Sequence, residues 1–189
     1  VMTDKNLSNL WIINYDGSEH RPLTTGNHND NYPRWSHDGK KIIFKSNRED
    51  DKTKLYLMWI DSKDYFALTN TKQAPQNVVW SHDDEMLAFN MFVPEKENSI
   101  ISMPSKPEGA KWNSPPIYID DINYRSDGIG YLKAGNSQLF TLPVQGGTPR
   151  QLTFNEYNHG APEWSKNGNK LFFSANFHKK NEHEPNDSE

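Results

Sequence analysis

Short apolar runs separated by polar, turn-forming stretches fill this chain, and they recur in a fixed order. Lys54-Leu55-Tyr56-Leu57-Met58-Trp59-Ile60-Asp61 reads as one strand and Tyr65-Phe66-Ala67-Leu68-Thr69 as the next. After a loop with Pro75, Asn77-Val78-Val79-Trp80 is a third, and Asp83-Asp84 turns into a fourth from Glu85 to Phe89. Four short strands joined by tight turns make an antiparallel meander. No stretch carries an apolar helical period over ten or more residues.

One phrase marks the repeat. Pro33-Arg34-Trp35-Ser36-His37-Asp38-Gly39 returns as Val79-Trp80-Ser81-His82-Asp83-Asp84 and as Pro162-Glu163-Trp164-Ser165-Lys166-Asn167-Gly168. The Trp-Ser pairs are 45 and then 84 residues apart, and 84 reads as twice 42. A weaker copy, Asn123-Tyr124-Arg125-Ser126-Asp127-Gly128, fills the empty slot with Tyr124 in the Trp place. A period of roughly 40–45 residues with four strands per unit is the signature of a β-propeller blade. The pattern predicts an all-β propeller fragment of about four blades. A half blade spans about 9–24, blades about 31–69, 77–120 and 122–153, a half blade about 161–176, and a polar tail 178–189. These units are too few to close a ring, so the chain reads as part of a larger whole.

The expected structural residues follow from turn chemistry. Asp38-Gly39, Asp127-Gly128 and Asn167-Gly168 suit a two-residue type I′ turn, which needs positive φ at both central positions. Asp83-Asp84 departs from this and predicts strain or a longer turn. Trp35, Trp80, Tyr124 and Trp164 supply flat side chains to pack between sheets, each followed by Ser36, Ser81, Arg125 and Ser165 respectively. Pro33, Pro75 and Pro162 fit a strand entrance. Leu-Thr at 23–24, 68–69 and 152–153 marks the end of each outer strand. The Pro-rich stretch from Phe92 to Pro116 breaks the rhythm, with short strands expected near 100–103 and 116–120.

Composition narrows the function classes. The chain has 189 residues, net charge −4, 12% aromatics and no cysteine. Its mean hydropathy is −0.95, and aromatics placed at regular intervals argue against disorder. That combination favours many small half-buried sheets over one large core. Basic residues are interspersed with acidic ones, so no nucleic-acid-tracking face is expected. Disulfides and thiolate metal sites are excluded, and no stretch is long and apolar enough for a membrane span. Val1-Met2-Thr3-Asp4-Lys5 has no signal-peptide core, and the compartment stays open between cytoplasmic and periplasmic or secreted.

Candidate chemistry is sparse. No Gly-x-Ser-x-Gly nucleophile elbow occurs. Ser36-His37-Asp38 and Ser81-His82-Asp83 imitate a triad, yet consecutive residues on a strand and turn point in alternating directions. His28, Asp30 and His37, and His178 and His183 with Glu182 and Glu184, lack a metal-ligand spacing. Gly146-Gly147 has no following helix to cradle phosphate. No catalytic, metal or cofactor residue is therefore assigned, and no cofactor is expected. Glu156, Glu163, Asp120 and Asp121 are acidic positions read as solvated loop carboxylates.

Two segments carry a more specific likeness. These are Gly109-Ala110-Lys111-Trp112 through Tyr124-Arg125-Ser126-Asp127-Gly128-Ile129-Gly130-Tyr131-Leu132, and Gln138-Leu139-Phe140 through Gly146-Gly147-Thr148-Pro149-Arg150-Gln151-Leu152-Thr153. They resemble the propeller domain of prolyl oligopeptidase-family serine peptidases, of the acylaminoacyl-peptidase and dipeptidyl-peptidase type. The Trp-Ser-x-Asp-Gly phrase is shared with Tol-type propellers. The resemblance implies a non-catalytic propeller that restricts entry to peptides, followed by an α/β-hydrolase domain carrying Ser, Asp and His outside these residues. Its partners would be the remaining blades, that hydrolase domain and the passing peptide. The alternative is a Tol-type scaffold that binds protein partners without catalysis. On either reading an open arc exposes aromatic faces, which predicts self-association of the isolated chain.

Overall fold

The computed structural model describes residues 7–50, 52–95, 107–111, 119, 124–128 and 130–177. Among them every regular element is a strand, and no helix is long and apolar enough to cross a membrane. The chain divides into two compact units, one of residues 1–93 and 136–176, the other of 94–135 and 177–189.

The first unit opens with a hairpin, β1 (Trp11–Ile12) on β2 (Arg21–Pro22). A four-stranded antiparallel sheet follows: β3 (Asn31–Trp35), β4 (Lys41–Ser46), β5 (Lys54–Trp59) and β6 (Tyr65–Ala67), paired in sequence order. Its middle strands are buried on both faces. Ile42, Phe44, Tyr56 and Met58 pack with Leu10 and Leu23 of the first hairpin. Ile43, Leu55 and Leu57 point the other way, into a cluster with Val78, Trp80, Leu87, Phe89, Phe140 and Leu142. Alternation of side chains along β4 and β5 thus serves two apolar interfaces. The sheet is sandwiched where the polar composition led us to expect half-burial.

The second four-stranded sheet differs from the expected division. β7 (Gln76–Trp80) pairs with β8 (Met86–Pro94), but β8 pairs next with β11 (Gly135–Pro143), and β11 with β12 (Arg150–Gln151). The third strand of this sheet therefore comes from beyond residue 134. The segments expected as separate blades at 77–120 and 122–153 contribute two strands each to one sheet. Residues 95–134 are inserted between its second and third strands, where the first sheet uses only residues 47–53. The 84-residue gap between Trp80 and Trp164 is one repeat enlarged by an insertion, not two repeats of 42. Tyr124 and Asp127-Gly128 belong to a small separate hairpin in the second unit, β9 (Arg125–Ser126) on β10 (Gly130–Tyr131), with Tyr124 and Tyr131 stacked at 6.3 Å. The strands expected near 100–103 and 116–120 fall outside the described residues apart from Ile119, as does the polar tail. A last hairpin, β13 (Glu163–Trp164) on β14 (Leu171–Phe172), returns to the first unit.

A three-fold clamp shows the true repeat. Leu23, Leu68 and Leu152 donate their backbone N–H to the carbonyls of Leu10, Leu55 and Leu139, at 2.8, 2.7 and 2.8 Å. In return Leu10, Leu55 and Leu139 donate N–H to the hydroxyls of Thr24, Thr69 and Thr153, at 2.9, 3.0 and 3.0 Å. Each Leu-Thr pair thus locks an outer strand to its neighbour with one backbone and one side-chain bond. A second repeated device is a bulge on the edge strands β3 and β7, where register shifts between Asn31 and Arg34 and between Gln76 and Val79. Tyr32 and Asn77 take up the irregularity at φ 53° and 49°. Pro33 sits inside β3 at this bulge, on an edge strand that tolerates a missing N–H, whereas Pro75 and Pro162 precede their strands.

Candidate functional site

The Trp-Ser-x-Asp phrase folds into the same turn three times. Ser36, Ser81 and Ser165 each donate a side-chain hydrogen bond two residues on, to Asp38 (2.6 Å), Asp83 (2.5 Å) and Asn167 (2.8 Å). The same hydroxyls accept the N–H of Lys41, Met86 and Lys170 across the turn. Ser and Asp therefore do meet, through the turn's reversal, although strand alternation led us to expect them apart. Their contact closes a hairpin: the Ser36 hydroxyl is bound to Asp38, and His37 is turned away to Asp84. The serine hydroxyls hold the carboxyls of Asp38 and Asp83 below the usual carboxylate range.

Positive φ falls on the second residue of these pairs alone: Gly39 at 70°, Gly168 at 72° and, without glycine, Asp84 at 57°. The turns are not of the type I′ form that Asp-Gly suggested, because the first residue keeps ordinary φ. The Asp83-Asp84 turn is no longer than the others. Asp84 N–H donates to Ser81 at 3.0 Å, as Gly39 N–H does to Ser36 at 3.1 Å. The left-handed strain of a non-glycine residue is offset by what the side chain does. The Asp84 carboxylate accepts the N–H of His37 and of Asp38, both at 2.8 Å, and lies 3.0 Å from His37 Nδ1. Burial pushes the Asp84 carboxyl up, but these donors outweigh it and hold it below the usual value. The repeat's one departure from glycine is thus a latch from the second sheet to the first.

Trp80 is the other inter-sheet anchor. It is buried, and its indole N–H donates to the Arg34 carbonyl at 3.1 Å. Trp35 holds the same place in the first sheet and is 47% exposed; Trp164 is half-buried. Tyr124, expected in the same role, is exposed in the hairpin of the second unit.

The candidate metal positions go to separate partners. The His28 ring lies against Gly26, Asp30 is paired with Arg48 at 2.9 Å, and His37 is paired with Asp84. Among the described residues no group of three or more His, Asp or Glu could hold a metal. Arg48 is packed among the rings of Phe44, Tyr56 and Tyr65 at 4.9, 5.1 and 4.4 Å. Burial, reinforced by Glu49, pushes the Tyr56 phenol up to about 12, so it stays protonated. Glu156 and Glu163 are exposed, and Asp120, Asp121 and the histidines of the tail lie outside the described residues.

Sequence reading missed one polar centre. Lys45 on β4 is buried, donates to Gln76 Oε1 at 2.6 Å, and lies 4.6 Å from the Tyr32 ring centroid. Burial, with the Arg34 charge added, lowers its pKa. A lysine directly after the apolar run Ile42-Ile43-Phe44, within the same strand, is the available signal.

The chain is similar to part of a peptidase. Over 173 residues it is 30% identical to a Bacillus subtilis (strain 168) protein described as the uncharacterized peptidase YuxL, a match that takes in 92% of this chain and 26% of that protein. The chain thus spans about a quarter of the length of this relative. No family profile matches it. Among solved structures it is similar to a putative TolB from Agrobacterium tumefaciens, with TM-score 0.57 and 19% identity, over 90% of this chain and 46% of that one. It is also similar to the Pyrococcus horikoshii acylaminoacyl peptidase, with TM-score 0.56 and 15% identity, over 80% of this chain and 21% of that one. At these identities the structural likeness shows the fold, a propeller-like arrangement of small antiparallel sheets.

Proposed function

We propose that this chain is a non-catalytic arc of a β-propeller within a larger serine-peptidase-like protein, where the propeller limits access to peptides. The observation that carries this reading is the repeated sheet unit found together with 30% identity to peptidase YuxL over nearly the whole chain. On this reading β1–β2 stands for the third and fourth strands of one blade, and β13–β14 for the first and second strands of another. The Thr24 clamp and the Ser165 turn support those assignments, since each repeats the bonds of the complete sheets. The arc then counts as a half blade, two blades and a half blade, with residues 95–134 as an insertion. Trp35 would be covered as Trp80 is, by the first strand of the preceding blade, the one to which β1–β2 belongs.

The chemistry would lie elsewhere: serine attack on the scissile carbonyl, with histidine as base and an oxyanion hole. The acylaminoacyl-peptidase or dipeptidyl-peptidase type is the finer form of the same reading. A fluorophosphonate probe tests it. The full-length protein is expected to be labelled at one serine outside these 189 residues and to cleave short peptides in preference to folded proteins. Labelling within this chain, or no labelling of the full-length protein, would sink the reading. In the second case a Tol-type scaffold binding a protein partner takes its place, which the likeness to the Agrobacterium TolB structure favours.

A further inference from the structure

The first sheet holds a buried cation that its own surroundings do not neutralise. Lys45 is 5% exposed. Among the described residues its ammonium meets one neutral acceptor, Gln76 Oε1 at 2.6 Å, and the face of Tyr32 at 4.6 Å. Two of its three N–H donors have no acceptor there, and no carboxylate stands within ion-pair distance. The nearby charge is positive: Arg34 lowers the lysine pKa further, and among the described residues its own guanidinium donates only to the Pro33 carbonyl. A buried charge without a partner is costly, and folds supply one as a rule.

Two comparisons inside the molecule show what this fold does otherwise. Lys54, the other buried lysine among the described residues, meets Glu49 at 2.7 Å and Asp50 at 3.4 Å, and its pKa is raised. Asn90 occupies the place of Lys45 in the second sheet, opposite Gln76 as Lys45 is opposite Asn31. Its amide is fully used: Oδ1 accepts from Asn77, while Nδ2 donates to Ser137 Oγ and to the His159 carbonyl, each at 3.0 Å. The position can be filled by a neutral side chain with every bond satisfied. In the first sheet it carries a charge with bonds to spare, under Tyr32 and beside Arg34 and Gln76, all three exposed.

We propose that Lys45 and Arg34, with Gln76 beside them and Tyr32 as a cover, form a binding subsite for a carboxylate of a peptide ligand. Lys45 supplies a desolvated ammonium at the floor, and Arg34 an exposed guanidinium at the rim that can grip a carboxylate with two parallel bonds. Tyr32, held at φ 53° by the bulge, must swing off the ammonium for the carboxylate to reach it. The choice of a peptide as carrier rests on the reading above; the recognition of a carboxylate does not.

The test uses the full-length protein after fluorophosphonate treatment, so that turnover does not disturb the titration. Calorimetry compares one neutral tetrapeptide as free acid and as C-terminal amide, and an amidated tetrapeptide containing glutamate. The free acid is expected to bind at least about tenfold more tightly than its amide. Lys45→Met and Arg34→Gln should each remove most of that preference, and Lys45→Arg should keep part of it. If Lys45→Met unfolds, the exposed Arg34→Gln carries the test. Strong binding by the amidated glutamate peptide identifies a side-chain carboxylate as ligand, and weak binding identifies the chain terminus; both support the site. Equal binding of all three peptides, binding of none of them, or a carboxylate preference unchanged in both variants overturns it. A protein that takes no fluorophosphonate label yet prefers the free acid would sink the peptidase reading and leave this site standing.

Discussion

The two four-stranded sheets are built on one plan and differ at four places. The first is continuous in sequence, and the second is interrupted between its middle strands by residues 95–134. Gly39 in the first turn becomes Asp84 in the second, which adds a latch back to the first sheet. Trp35 is 47% exposed where Trp80 is 6% exposed and bonded to Arg34. Lys45 is short of partners where Asn90 has all of its own. The features they share are local bonds within a sheet, namely the Leu-Thr clamp, the Ser-x-Asp turn and the bulge. Apart from the insertion, the differences concern what a sheet meets beyond itself. The repeat therefore fixes the unit, while the individual residues at its faces fix the neighbours.

Truncating the two tryptophans breaks this comparison most sharply. Trp80→Ala is expected to cost about 3–5 kcal/mol, as for large core aromatics, whereas Trp35→Ala in the 189-residue chain should cost under about 1 kcal/mol. In the full-length protein Trp35→Ala should approach the cost of Trp80→Ala if another blade covers it. A small cost there, read from urea midpoints, would remove that neighbour from the proposal.

Asp84 comes next. Asp84→Ala leaves the N–H groups of His37 and Asp38 without their acceptor and keeps a non-glycine residue at positive φ, for about 2–3 kcal/mol. Asp84→Gly should cost less, because it relieves the strain. The sign with pH is fixed by the lowered carboxyl. The latch contributes fully above the unfolded carboxyl pKa of about 3.9, and its contribution is lost as pH falls through the lower folded value. Denaturation midpoints between pH 6 and pH 2.5 should therefore fall less steeply in Asp84→Asn than in the wild type.

A subtler probe is Thr69→Val, nearly isosteric, which strips the acceptor from the buried N–H of Leu55 and should cost about 2 kcal/mol. An equal loss from Thr153→Val would show that the clamp works alike in both sheets. The smallest effect tests the topology itself. Replacing residues 95–134 with a seven-residue loop shortens the closure between β8 and β11 by between two and three halvings. That is expected to stabilise the sheet by about 1.5 kcal/mol. A collapse of cooperative unfolding would mean that the inserted residues are structural to the sheet.

The places of the turns and of the outer-strand ends are legible in the sequence because they are set by residues close along the chain. Ser36 and Asp38, or Leu55 and Thr69, recur at fixed spacings, so repetition alone exposes them. The type of turn was misread because Asp-Gly satisfies more than one geometry; the backbone puts positive φ on Gly39 and not on Asp38. Lys45 is not legible as buried because a charge at the end of an apolar run looks like a strand edge until its burial is known. Tyr124 was misplaced for a related reason: Tyr-Arg-Ser-Asp-Gly has the local form of the repeat but sits in an insertion.

By itself, then, the sequence determined the unit: short strands, the places of its turns, outer strands that end at Leu-Thr, and a propeller-like class. Only the tertiary structure decided which strands share a sheet, that Asp84 reaches across to His37, and that Lys45 lies buried beside Arg34. The physical reason is range. A turn closes on hydrogen bonds a few residues apart, which residue types and spacing encode directly. The pairing of β8 with β11 joins segments separated by the whole insertion, and what it gains is apolar burial, with Phe89 stacked on Phe140 in the cluster shared with the first sheet.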